Sequence, residues 1–312
     1  MKPKAALVVT LLIAGFAVLF ISQKELLRNY TPAMLLTGSE STSLYKEIES
    51  KSKEMNEAPE NAYIDQVWKK TPGLDGRKVD IKKSYEKMKK NGIFDKKLLV
   101  YDTVPPGVSI DDLPPAPIYR GNPEKEMVTL LINVSWGEEY IPEMLKTLNE
   151  KNVKANFFID GRFAEKNPDI VKMIHEQEHI IGNHAYNHPD MSRMDKASAN
   201  ESISQTNDVL RSLINDETKW FAPPAGGYNQ QVVEAAEELE MYTILWTVDT
   251  IDWKKPTKEV LLQRVLPKAH NGATILMHPT AVTADSLDEL IDGLRDKGFR
   301  IGNIETLMDT SR

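Results

Sequence analysis

Residues 128–134 read VTLLINV, residues 138–152 EEYIPEMLKTLNEKN and residues 155–160 ANFFID. A short apolar run, an amphipathic helical pattern and a second apolar run follow one another directly. The alternation continues through HIIGNHA (179–185), KWFAPP (219–224), YTILWTVD (242–249), ATILMHP (273–279) and RIGNI (300–304). Helical patterns such as NESISQTNDVLRSLI (200–214) and SLDELIDGLRDKG (286–298) lie between them. Seven strands alternating with helices predict an α/β fold with a parallel sheet. Packed into residues 127–312, such units predict a distorted (β/α) barrel, since each unit is short for a regular one. An open doubly wound sheet is the alternative, although no G-x-G-x-x-G turn follows the first strand. In both architectures the chemistry belongs at the C-terminal ends of the strands.

Working outward, residues 101–126 contain VPPGVSIDDLPPAPIYRGNP (104–123), whose prolines predict a semi-rigid linker. Residues 59–100 predict a small module: AYIDQVW (62–68) as a strand, TPGLDG (71–76) as a tight turn, VDIKKSYEKMKKNG (79–92) as an amphipathic helix. This module loosely resembles small peptidoglycan-binding repeats, and a plain spacer is an equal reading. Residues 23–58 are charged and polar and read as a stalk. Residues 1–22 are read as a transmembrane signal anchor. Lys2 and Lys4 precede a charge-free run, Ala5 to Ser22, which as a helix would be roughly 27 Å long, close to a bilayer core. No A-x-A-like site closes the run, so an uncleaved anchor with its basic end inside is favoured over a removed signal. The expected place is the extracytoplasmic face of the membrane, or secretion if the segment is cleaved.

The 312 residues carry a net charge of -7, and no basic tract supplies the phosphate-neutralising contacts of a nucleic-acid partner. The chain contains no cysteine. Disulfides, thiol nucleophiles and zinc–thiolate sites are thereby excluded.

Several strand ends carry residues capable of chemistry. After the third strand, His184 and His188 are four apart and can present two imidazoles to one metal ion. Two surface histidines would read the same way. After the fifth strand come Asp249, Asp252 and Trp253, and after the sixth His278. A histidine facing a carboxylate across two strand ends is the arrangement a general acid needs. Loop capping for the aspartates and a core role for His278 are the plainer readings of each residue alone.

These motifs, GNHAYNHPDM (182–191), FAPPAGGYN (221–229), VDTIDW (248–253) and LMHP (276–279), resemble in order and spacing those of the polysaccharide deacetylases. This is carbohydrate esterase family 4, the NodB-homology group. The chain more narrowly resembles the YlxY-type sporulation-associated subgroup, which joins an N-terminal anchor and a short module to this domain. The resemblance implies a NodB-type barrel, a spore-forming host and an acetylated amino-sugar polymer such as peptidoglycan as partner. It implies His184 and His188 as metal ligands and His278 as general acid tuned by Asp252. It further implies a groove shaped by Trp253, Pro223, Ala225 and Gly226. A divalent metal, zinc or cobalt, would be bound weakly if at all.

The departures concern the first and third motifs. Asn133 stands where the family has its general base, and an amide accepts no proton near neutral pH. Val134 stands at the aspartate ligand and offers an ion nothing. Ala222 replaces an arginine that tethers the base. With the carboxylate gone, such an arginine would be a partly buried unpaired charge, so Asn133 and Ala222 read as a coordinated change. Ala225 takes the place of a tyrosine whose backbone N–H helps bind the oxyanion. Asp160, Glu138 and Glu139 can in principle supply a displaced carboxylate, and solvated loop charges are the plainer reading of them. Loss of the base alone removes on the order of 10²–10⁴ in rate. The expectation is a wall protein with weak or no catalysis that still binds glycan. An active N-deacetylase with a substituted base and a purely structural protein are the competing readings.

Overall fold

The computed structural model describes residues 32–312, with side chains from residue 43 onward. The apolar run 5–22 lies outside the described residues. Among those described, no helix is long and apolar enough to cross a membrane.

The described residues fall into two compact units. The first contains the helix Pro32–Met55, which occupies much of the expected stalk, together with residues 77–103. Leu44 and Ile48 from that helix are buried with Val79, Met88 and Leu99. Asp80 caps the helix Ile81–Met88 by accepting a hydrogen bond from the Lys83 N–H at 2.9 Å.

The second unit contains residues 59–76 and 104–312. This division differs from the one drawn on the sequence: the expected module 59–100 is shared between units, and the proline-rich stretch joins the barrel. The unit holds the antiparallel hairpin β1 (Tyr63–Asp65) and β2 (Lys69–Thr71). The strands β3 (Gly76–Val79) and β4 (Tyr101–Val104) form a separate two-stranded sheet.

The main sheet is parallel throughout. Its strands are β5 (Met127–Val134), β6 (Asn156–Ile159), β7 (Ile180–Asn183), β8 (Trp220–Phe221), β9 (Tyr242–Thr243), β10 (Val248–Asp249), β11 (Thr274–Met277) and β12 (Arg300–Ile301). The order is β10-β11-β5-β6-β7-β8-β9, with β12 paired to the start of β5. All eight residues of β5 are buried, as expected for a central parallel strand covered on both faces. Val128, Leu130, Ile132 and Val134 face the layer formed with the helices, whereas Met127 and Leu131 face the barrel interior with Phe158 and Trp220.

Two features depart from the sequence reading. YTILWTVD forms two strands, because the chain leaves β9 after Thr243 and crosses to β11, where the Thr247 N–H donates to the Thr274 carbonyl at 3.2 Å. The proline-rich stretch lies along the free side of β9. Ile118 donates to the Thr243 carbonyl and accepts from the Leu245 N–H, both at 2.8 Å. Its side chain is fully buried in the interior cluster. Prolines exclude a continuous ladder but leave single residues between them free to pair.

Candidate functional site

The C-terminal ends of the strands converge on a pocket of about 340 Å³ lined by Asn133, His184, His188, Ala225, Asp249, Trp253 and His278, with Ser135, Trp136, Trp246 and Leu276 completing the wall.

One wall is held by Asp252, which has no solvent exposure. Its Oδ1 lies 2.8 Å from His278 Nδ1. Its Oδ2 accepts from the His278 backbone N–H and from the Thr283 hydroxyl, both at 2.6 Å. Three donors thus fix the carboxylate, and the carboxylate fixes the imidazole with Nδ1 turned away from the pocket. The contact to Asp252 leaves Nε2 as the free ring nitrogen of His278.

The opposite wall is the loop after β7. Ala185, Asn187 and His188 all have positive φ, at 56°, 66° and 48°. Such backbone persists only where neighbours over-determine it. The Asn183 side chain accepts from the Ala185 N–H, and Asp160 Oδ2 accepts from the His188 N–H, each at 2.7 Å. The result brings the His184 and His188 rings to 5.3 Å between centroids. His184 Nδ1 lies 2.7 Å from the Ala222 carbonyl, so Nδ1 carries the proton and Nε2 is the available donor atom. Burial, reinforced by His188, lowers the His184 pKa to about 3, which keeps the ring neutral.

Among the described residues no third ligating side chain joins His184 and His188. Val134 is fully buried in the helix-facing apolar cluster and does not line the pocket. Asp160 is no substitute: its Oδ1 caps the helix Gly161–Lys166 through the Phe163 N–H at 2.9 Å and its Oδ2 holds the His188 backbone. Burial raises its pKa. Glu138 and Glu139 are exposed on the turn after β5, and neither lines the pocket. Among the described residues no group of three His, Cys, Asp or Glu can hold a metal ion. Two imidazoles alone do not meet the three protein ligands of a catalytic divalent site.

Asn133 is 4% exposed, and its Oδ1 has no hydrogen-bond partner; the Ser135 hydroxyl also has none. Both line the pocket. Ala222 lies in the interior apolar cluster, so no positive charge faces Asn133 from the arginine position. Ala225 lines the pocket with φ of 53°. Pro223 is buried and outside the lining. Gly226 supports the site indirectly, since a Cβ there would approach the Trp246 ring to 2.7 Å.

The sequence reading missed Trp136. Its ring lies 8° from parallel with the His278 imidazole at 6.0 Å between centroids. Gly137 makes this approach possible: its φ is 83°, and a Cβ would fall 2.0 Å from the Pro279 carbonyl oxygen. Trp136 and Trp253 remain 46% and 52% exposed, leaving aromatic surface open at the pocket mouth.

A sequence profile of the polysaccharide deacetylase family matches residues 120–244. The protein YlxY of Bacillus subtilis (strain 168) is 46% identical over 308 residues, covering 96% of this chain and 97% of that protein. The crystal structure of wild-type BA3943 from Bacillus anthracis, a CE4 family pseudoenzyme, is 47% identical with a TM-score of 0.81, covering 86% of this chain and 96% of that one. A BA3943 mutant with restored enzymatic activity superposes with a TM-score of 0.82 at 46% identity, covering 86% of this chain and 99% of that one. The peptidoglycan-N-acetylglucosamine deacetylase of Bacillus cereus is 33% identical over 199 residues, covering 62% of this chain and 72% of that protein.

Proposed function

The chain belongs to the polysaccharide deacetylase family, and from that premise we propose that its groove binds N-acetylated peptidoglycan, holding the acetamide intact with weak or no hydrolysis. One observation carries this reading. The residue at the base position, Asn133, is a pocket-lining amide whose buried oxygen has no hydrogen-bond partner, and among the described residues no three side chains come together as metal ligands. A buried acceptor without a partner costs free energy that a ligand N–H relieves. An amide oxygen suits the N–H of an acetamido group, and the open faces of Trp136 and Trp253 suit a sugar ring. The named relatives support both halves of the proposal: one is a peptidoglycan-N-acetylglucosamine deacetylase, and another is a pseudoenzyme of the same esterase family.

The charge-free run 5–22 supports a further part of the reading. It would anchor the chain in the membrane with the barrel on the extracytoplasmic side, against the wall.

The test is co-sedimentation of the full-length protein with insoluble peptidoglycan, native and after chemical N-deacetylation. Preferential retention on the acetylated polymer is expected. Equal retention on both, or none on either, contradicts an acetamide-directed site.

A further inference from the structure

A second cavity, of about 320 Å³, shares no lining residue with the groove. It lies beside the start of β9, whereas the groove occupies the strands' C-terminal ends. Its walls come from Lys70 of β2, from Asp111 and Ala116 of the proline-rich stretch, and from the helix Gln230–Glu238 with the residues following it. Lys70, Asp111 and Ala116 precede the residues 120–244 that match the family profile. The cavity is therefore made jointly by the profile-matched residues and by segments that precede them.

Two side chains there are buried beyond nine-tenths and poorly partnered. Lys70 is 3% exposed, and its Nζ has Glu237 Oε1 at 3.5 Å as an ion partner, beyond usual hydrogen-bond length. Thr243 is 2% exposed, and its hydroxyl has no hydrogen-bond partner. The Tyr242 hydroxyl donates to Asp111 across the same cavity. Burying an ammonium group and a hydroxyl in this way is unfavourable unless something else completes their hydrogen bonds.

The donors and acceptors indicate what that is. Lys70 and Thr243 offer hydrogens, while Glu237, Glu240 and Asp111 accept them, and Val233 and Met241 add apolar surface. An anion would face three carboxylates, and a cation would meet Lys70. A hydroxyl both donates and accepts, so a ring bearing several hydroxyls satisfies the set without adding charge. We propose that this cavity binds one neutral sugar residue, as a glycan contact separate from the groove. Two contacts on one polymer would raise its effective affinity without any new chemistry.

The experiment is saturation-transfer NMR and titration of the full-length protein with N,N′-diacetylchitobiose, using acetate and ethylammonium as charged controls. A Trp136→Ala/Trp253→Ala variant removes the groove's aromatic surface. Residual sugar binding is expected in that background, weakened roughly fivefold or more by adding Thr243→Val or Lys70→Met. Thr243→Val preserves side-chain shape, so it keeps the test decisive if Lys70→Met impairs folding. No residual binding, or residual binding unchanged by Thr243→Val in a folded protein, overturns the proposal. Acetate or ethylammonium binding that Thr243→Val abolishes refutes the neutral ligand class. If the Trp double variant binds as well as wild type, the groove reading fails while the second site stands.

Discussion

Trp136 lies nearly parallel to the His278 imidazole, 6.0 Å between centroids, so the histidine that the family resemblance implies as general acid is also part of an aromatic wall. The same side chain can stack against a sugar without transferring a proton. Trp136→Ala is expected to weaken binding of acetylated chitin oligomers by roughly tenfold, the value of about 1.4 kcal/mol of lost stacking. With Trp136 46% exposed, the unfolding midpoint should hardly move. Titration calorimetry beside a thermal melt separates the two effects.

Asp252 carries structural weight whether or not the site turns over. Its removal strands the Thr283 hydroxyl and the His278 backbone N–H, and releases the imidazole. Asp252→Ala should destabilise the barrel by about 3 kcal/mol, because it leaves buried donors without an acceptor. Asp252→Asn should lose less, because the amide oxygen still accepts. Urea unfolding of both variants checks the order.

Val134 and Asn133 should respond differently to aspartate. Asn133 faces the pocket, so Asn133→Asp is expected to fold and melt within about 1 kcal/mol of wild type. Val134 is packed in the helix-facing core, and Val134→Asp should cost about 3 kcal/mol or more in metal-free buffer. Partial recovery of the melting temperature on adding Zn²⁺ would indicate that the new carboxylate reaches His184 and His188.

His179 gives stability a pH dependence unrelated to the site. It is 4% exposed, accepts from the Ala155 N–H at 3.1 Å, and burial, with Lys154 adding to it, lowers its pKa to about 4. In the unfolded chain its pKa is about 6.5. The unfolded state therefore binds the extra proton first as pH falls. The stabilisation is complete above about pH 6.5 and lost progressively down to about pH 4, amounting to about 3 kcal/mol. His179→Gln should flatten the stability profile over that window relative to wild type, as read by urea midpoints at each pH.

Much of the barrel was legible because its signals are local. Runs such as VTLLINV are buried on both faces and so are apolar without interruption. His184, His188, Asp252 and His278 occupy strand ends whose order follows the sequence, and the structure brings all four to the same end of the sheet. What was not legible depends on contacts distant in sequence. The pairing of Ile118 with β9 cannot be read from a stretch whose prolines signal only irregularity. The split of YTILWTVD into two strands depends on Thr274, far along the chain. Asp160 read as a candidate carboxylate ligand, but its oxygens are taken by the backbone N–H groups of Phe163 and His188. Gly137 followed by two glutamates was the one local sign that the chain turns sharply beside Trp136, and the stack itself required Pro279 and His278 to be in place.

The most direct test of binding without turnover is acetate release from peptidoglycan and from acetylated chitin oligomers by the full-length protein, with added Zn²⁺ or Co²⁺. His184→Ala and Asn133→Asp variants should run in parallel. No release above the His184→Ala background is expected at high protein concentration, together with measurable binding of the same oligomers. Release by the wild-type protein that disappears in His184→Ala would contradict it, because a working metal and an alternative base would then be present in the groove.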